Sequence, residues 1–223
     1  MSSISVPRLE RFSLREQVRT VLRARVITGE LEEGRLYSVG DFATLLGVSA
    51  TPVREALGDL VHHGLVQVLP NKGFVVPSLT DHDLDEIFEL RMLLEIPTVA
   101  AAAGKLDADA LDKAHQIVER CASCAAQQDL AGFLDSDREF HLGLLRGAGN
   151  ARLVEIVDRL RDQARLYGLR TLPVIDLVAS AAEHELLLAA VSANDDAEIR
   201  RQLAHHLEHT RGMWAARSDT ELR

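Results

Sequence analysis

Asp137 and His141 stand four residues apart, so they share one face of any helix that carries them. That face is apolar, because Phe133/Leu134, Asp137, His141, Leu144 and Ala148 form a single stripe. His184 repeats the pattern between Leu177, Ala181, Leu188 and Val191. His206 lies on the line of Ile199, Leu203, Thr210 and Met213, whereas His205 and His209 fall with Arg201 and Gln202 on the wetter side. One histidine on an apolar stripe is most often a satisfied core residue. Three of them and an aspartate, all turned inward, would be costly to bury without partners. Together they make the donor set of a divalent cation, zinc first with Ni(II) or Mn(II) as alternatives, and leave positions for water or a ligand.

Arg91 belongs beside this set, since it shares a stripe with Leu84, Ile87/Phe88, Glu95 and Thr98. An inward guanidinium can clamp an effector carboxylate with two parallel hydrogen bonds. The structural alternative is a salt bridge, with Glu95 as the nearest partner. A second group of polar residues lies near the N-terminus, where Ser49, Thr51 and Arg54 open a helix and Lys72-Gly73 tips a hairpin. Arginine suits bidentate contact with guanine O6 and N7, and the others suit phosphates. For Arg54 the plain alternative is a surface pair with Glu55 or Asp59.

The elements that must position these groups are marked by caps and breakers. Ser13 with Glu16 is a capping-box pattern; Leu14, Val18, Val21/Leu22 and Ile27 follow at helical spacing until Gly29. Ser38 and Asp41 start a short second helix carrying Phe42, Leu45 and Leu46 up to Gly47. Thr51-Pro52 starts a third, with Val53, Leu57 and Leu60/Val61 as its inner face up to Gly64. Two β-prone runs, 65–69 and 74–76, flank the turn Pro70-Asn71-Lys72-Gly73. Three helices and a hairpin in residues 1–76 predict a winged helix-turn-helix. Residues 77–80 read as a linker. From 81 to 223 there are only amphipathic helices, over 81–103, 107–127, 130–148, 150–170, 175–193 and 195–216, broken at Gly104, Gly149 and the Thr171-Leu172-Pro173 segment. The fold class is therefore mostly α, a winged helix-turn-helix followed by an all-α bundle.

Composition narrows the function. No apolar run approaches a membrane span or a secretory signal, so a cytoplasmic protein is expected. Cys121 and Cys124 form a CxxC with no second pair and read as small core residues. The net charge of -9 is uneven: residues through Val76 carry nine Lys+Arg against eight Asp+Glu, and the remainder is strongly acidic. A near-neutral segment can still bind DNA if its few cations cluster. Neither a nucleotide-binding glycine loop nor a GxSxG elbow occurs, which argues against an enzyme. The rivals are a metal-dependent hydrolase, since such a metal could activate water, and an interaction protein whose helix-turn-helix no longer binds DNA.

The first helix, the segment GVSATPVREAL and the hairpin GLVQVLPNKGFVV together resemble the DNA-binding domain of the GntR family of bacterial transcription factors. The stretch LTDHDLDEIFELRMLLE, then DREFH, AAEHELLLAAV and AHHLEH, resembles the FCD ligand-binding domain of its FadR-type branch. The resemblance spans nearly the whole chain. It implies DNA contacts at the recognition helix and wing, a metal at Asp137, His141, His184 and His206, and a small carboxylate effector completing the metal's coordination. It also implies a homodimer on a palindromic operator, acting as a repressor. The sequence departs from the family at Ala50, where an arginine is usual, and at Gly40, where a further basic residue is usual.

Overall fold

The computed structural model describes residues 13–168 and 176–215. The Thr171-Leu172-Pro173 break and the first twelve residues lie outside them. Helix α1 (Leu14–Ile27) begins with a complete capping box, in which Ser13 Oγ accepts from the Glu16 amide and the Glu16 carboxylate accepts from the Ser13 amide. Helix α2 (Val39–Leu46) is capped by Ser38 and stopped by Gly47 in the left-handed conformation. Helix α3 (Ala50–His62) starts at Ala50, one residue before Thr51, with Pro52 in its first turn. Strands β1 (Gln67–Leu69) and β2 (Gly73–Val75) pair antiparallel. The loop before α2 joins them, since Tyr37 exchanges both backbone hydrogen bonds with Phe74 and Glu33 bridges Val76. Gly73 is obligatory there: its φ is +137°, and a Cβ would lie 2.0 Å from the Tyr37 carbonyl oxygen. The first helices close over Val18, Leu22, Phe42, Val53, Leu57, Leu60 and Phe74.

The inner face of α3 differs from the expectation at one place. Ala56 is buried and Val61 is 42% exposed. Leu60 already fills the position, and the next residue along a helix turns by about 100° to the outside.

After Pro77 the chain is helical: α4 (Asp81–Ala102), a single 3-10 turn (Ala103–Lys105), α5 (Ala108–Ala126), α6 (Leu130–Arg146), α7 (Ala151–Gly168), α8 (Leu177–Ser192) and α9 (Asp196–Ala215). Thr80 and Asp83 form a second capping box on α4, which continues through Pro97. In the bundle α4 lies against α7 and α9, α5 against α6 and α8, and α8 against α9. Among the described residues no helix is long and apolar enough to cross a membrane.

The two halves share a packed boundary. Leu166 of α7 is buried in the core of the N-terminal domain, and Leu79 packs against both cores. Gln202 is also buried, at 7% exposed, rather than on the wet side with Arg201. It flanks the Ile199, Leu203 and His206 stripe, and its amide donates to Glu198.

Candidate metal centre and nucleic-acid interface

Helix α6 supplies Asp137 and His141, α8 supplies His184 and α9 supplies His206. One ligand atom from each lies within 4.8 Å of all the others, and all four residues are buried. The Nε2 atoms of His141 and His184 face each other at 3.2 Å, and Asp137 Oδ1 stands 3.5 and 3.3 Å from them. The three imidazoles are packed with ring centroids 4.8 to 5.1 Å apart.

What surrounds the set decides which atoms are free to ligate. His206 Nδ1–H donates to Glu183 Oε2 at 2.7 Å, leaving the Nε2 lone pair for the interior. The Nδ1 of His184 meets the buried Cys121 thiol at 3.5 Å. Burial pushes His206 down to about 4, against the pull of Glu183. His141 lies well below its ordinary value through burial and the neighbouring Arg161. Burial works against the Asp137 carboxylate, but Arg161, the histidines and Arg165 outweigh it and hold Asp137 far below the usual range. His141 and His206 held neutral beside an ionised Asp137 are in the protonation states that a cation requires. The donor set therefore fits a divalent metal.

These shifts have a consequence for the metal-free protein. The unfolded chain takes up a proton at His206 near pH 6.5, but the folded chain does so only near 4. Between those values the unfolded state binds more protons, so stability falls as pH is lowered, by at most about 1.4 kcal/mol per pH unit for each such histidine. Thermal melts in chelator from pH 7 to pH 4 should show this decline, which a flat profile over that window would contradict.

Around the ligands lies an ionic network, much of it from residues that no spacing argument singled out. Arg91, 2% exposed, is bound to Glu95, with Nε donating to Oε1 at 2.6 Å. Burial lowers Arg91 to about 10. Arg161 of α7 bridges Glu95 Oε2 at 3.0 Å and Asp137 Oδ2 at 2.8 Å, and Arg165 donates to the same Asp137 oxygen at 2.6 Å. Arg91 thus enters the centre through Glu95, while Arg161 and Arg165 touch the ligand set directly. Both share a stripe with Val157, Leu160 and Ala164, the same inward signal that singles out the histidines. Arg161 Nε and Arg165 Nη1 are buried with no hydrogen-bond partner among the described residues, as is His141 Nδ1. Such orphaned donors are uncommon and expensive.

The nucleic-acid face is separate. Ser49, Thr51, Arg54 and Lys72 are all exposed. Ser49 makes no side-chain cap bond, so its hydroxyl is not spent on the helix. Arg54, Lys72 and Gly73 line one groove of about 560 Å³ between α3 and the hairpin, while Ser49 and Thr51 lie at the α3 N-terminus. Asp59, one alternative partner for Arg54, is bound instead by Arg15, whose Nε donates to it at 2.9 Å. Gly40 lines the same groove, and a Cβ there would meet only Ser38 Oγ at 3.5 Å, so a side chain would fit.

The two regions are joined at Asp162 of α7, a fully buried carboxylate. Arg23 of α1 grips it with Nε and Nη2, at 3.2 and 2.5 Å, and His63 Nδ1 at the end of α3 lies 3.0 Å away. Arg165 Nη1 stands 4.0 Å from the same carboxylate. One arginine therefore lies between the candidate ligand Asp137 and the clasp that holds the winged domain to the bundle.

Residues 14–76 match the family model for bacterial regulatory proteins of the gntR family, and residues 86–209 match the FCD domain. The chain is 28% identical over 204 residues to the HTH-type transcriptional regulator McbR of Escherichia coli, covering 90% of this chain and 92% of that one. It is also 28% identical over 194 residues to the gluconate operon transcriptional repressor of Bacillus subtilis, covering 84% and 79%. The solved structure of Escherichia coli McbR/YncC superposes with a TM-score of 0.83 at 27% identity, over 93% of this chain and all of that one.

Proposed function

We propose, from the premise that this chain belongs to the gntR family and is a transcriptional regulator rather than an enzyme, that a buried metal and a small organic acid control its binding to DNA. The observation that carries this reading is the coincidence, in one pocket of charge, of four convergent ligands with two orphaned arginine donors. Asp137, His141, His184 and His206 would hold the cation, zinc first, with Ni(II) or Mn(II) also compatible with the donors. When bound, the metal supplies a Lewis-acidic point at which an anionic ligand can complete the coordination.

The charge balance supports an anionic effector. Three buried guanidiniums, Arg91, Arg161 and Arg165, face the buried carboxylates Glu95 and Asp137, with Asp162 and Glu183 buried at the margins of the network. Adding a divalent cation turns this interior net positive, and two guanidinium donors are without hydrogen-bond partners among the described residues, so an anion is the partner that fits. A carboxylate could accept from Arg161 Nε and Arg165 Nη1, with Arg91 acting through Glu95. Satisfying Arg165 would change its balance between Asp137 and Asp162, and so the hold of Arg23 and His63 on the bundle. Coupling of this kind needs two states with different affinity for the effector.

At the other end, two winged domains of a homodimer would set their α3 helices about one turn of DNA apart on a palindromic operator. A cytoplasmic repressor is the form this takes here, in keeping with the repressor named among its relatives. With no basic side chain at Ala50 or Gly40, Arg54 carries most of the base reading, supported by Ser49, Thr51 and the Lys72-Gly73 wing. Arg54→Ala is therefore expected to weaken operator binding by about 1–3 kcal/mol. Footprinting on the DNA flanking the protein's own gene, followed by titration of the variant, measures this; an unchanged affinity would remove Arg54 from the interface.

A further inference from the structure

We infer that Glu183, His205 and His209 form a second, solvent-facing metal site on the outer side of helices α8 and α9. His205 and His209 are four residues apart on α9, the helical spacing at which two imidazoles can share one cation. Their rings are stacked, with centroids 6.1 Å apart and planes 19° from parallel. Both turn to the same carboxylate oxygen from the neighbouring helix: His209 Nδ1 is hydrogen-bonded to Glu183 Oε1, and His205 Nε2 lies 3.7 Å from it. Among the described residues only histidines are ion-paired with Glu183.

Two imidazoles and one carboxylate are a donor set for Zn(II), Ni(II) or Cu(II), with the remaining positions open to water. The side chain of His205 is 65% exposed and that of His209 33%, so a cation reaches them without opening the fold. Glu183 is the preorganised member, because its other oxygen already accepts from His206 Nδ1. With three donors rather than four and more water, this site is the weaker of the two. The carboxylate shared with His206 places it one side chain from the inner ligand set, so the helical domain offers two metal equivalents of unequal affinity. The outer ligands Glu183, His205 and His209 are not members of the inner set; the tight ion and the count of two rest on the inner metal proposed above.

The test is a zinc titration of untagged, full-length protein by calorimetry, with native mass spectrometry to count ions. Wild type should take two zinc ions per chain, one tight and one weak. His205→Gln with His209→Gln should take only the tight one, with its affinity changed by less than about threefold. His141→Ala should lose the tight ion and keep the weak one. If wild type binds a single ion and the double variant loses it, the outer site stands and the inner reading falls. Retention of both ions by the double variant, or a single wild-type ion that survives it, overturns the proposal.

Discussion

Asp137→Ala is expected to destabilise the protein by about 3–5 kcal/mol, the cost of stripping the partner from a buried charge. The reason lies in the arginines rather than in the aspartate itself. Oδ2 of Asp137 is shared by Arg161 at 2.8 Å and Arg165 at 2.6 Å, and both guanidiniums are almost fully buried. Without the carboxylate, among the described residues Arg165 keeps only the Leu134 carbonyl as an acceptor, with Asp162 at 4.0 Å, and Arg161 keeps only Glu95. Urea unfolding at pH 7 in the presence of chelator, where metal makes no contribution, measures the effect. A loss below about 1 kcal/mol would mean that water reaches these groups and that the network is not buried as described.

His184→Ala should have the opposite signature: a modest change in stability but the loss of tight metal binding. Among the described residues His184 reaches the ionic network only through Asp137 Oδ1, at 3.3 Å, and supports no buried arginine; Phe133 and Phe140 pack beside its ring, and the Cys121 thiol is its outer partner. Removing a direct ligand should weaken binding by more than the roughly 10- to 100-fold typical of losing an outer partner. Competition against a chromophoric chelator gives the affinity. A variant that still held zinc as tightly as wild type would mean that His184 is a core histidine and not a ligand.

The helices were legible in the sequence because their ends are written in local chemistry. Ser13 with Glu16, Thr80 with Asp83, and Gly47 mark boundaries that the structure reproduces to within a residue or two. The convergence of Asp137, His141, His184 and His206 could be read as well, since each is a polar residue on an apolar stripe. Arg161 and Arg165 obey the same rule on α7, but arginine on a helix is so often a snorkelling surface residue that periodicity alone does not single it out. Asp162 was beyond reach in a different way. Its partners Arg23 and His63 are 139 and 99 residues away, and no local pattern encodes such a meeting. The wing likewise depends on Tyr37 pairing with Phe74, so the glycine at 73 is explained by a backbone far from it in sequence.

If the buried centre controls DNA binding, the two are thermodynamically linked, and the linkage can be measured from either end. Operator DNA is titrated into zinc-loaded and chelator-treated protein, and zinc is titrated into free and operator-bound protein. Zinc is expected to change the operator affinity by about 5-fold or more, and the operator to change the zinc affinity by the same factor, as reciprocity requires. Equal operator affinity in the loaded and stripped protein, with zinc shown to bind at the Asp137 centre, would contradict it.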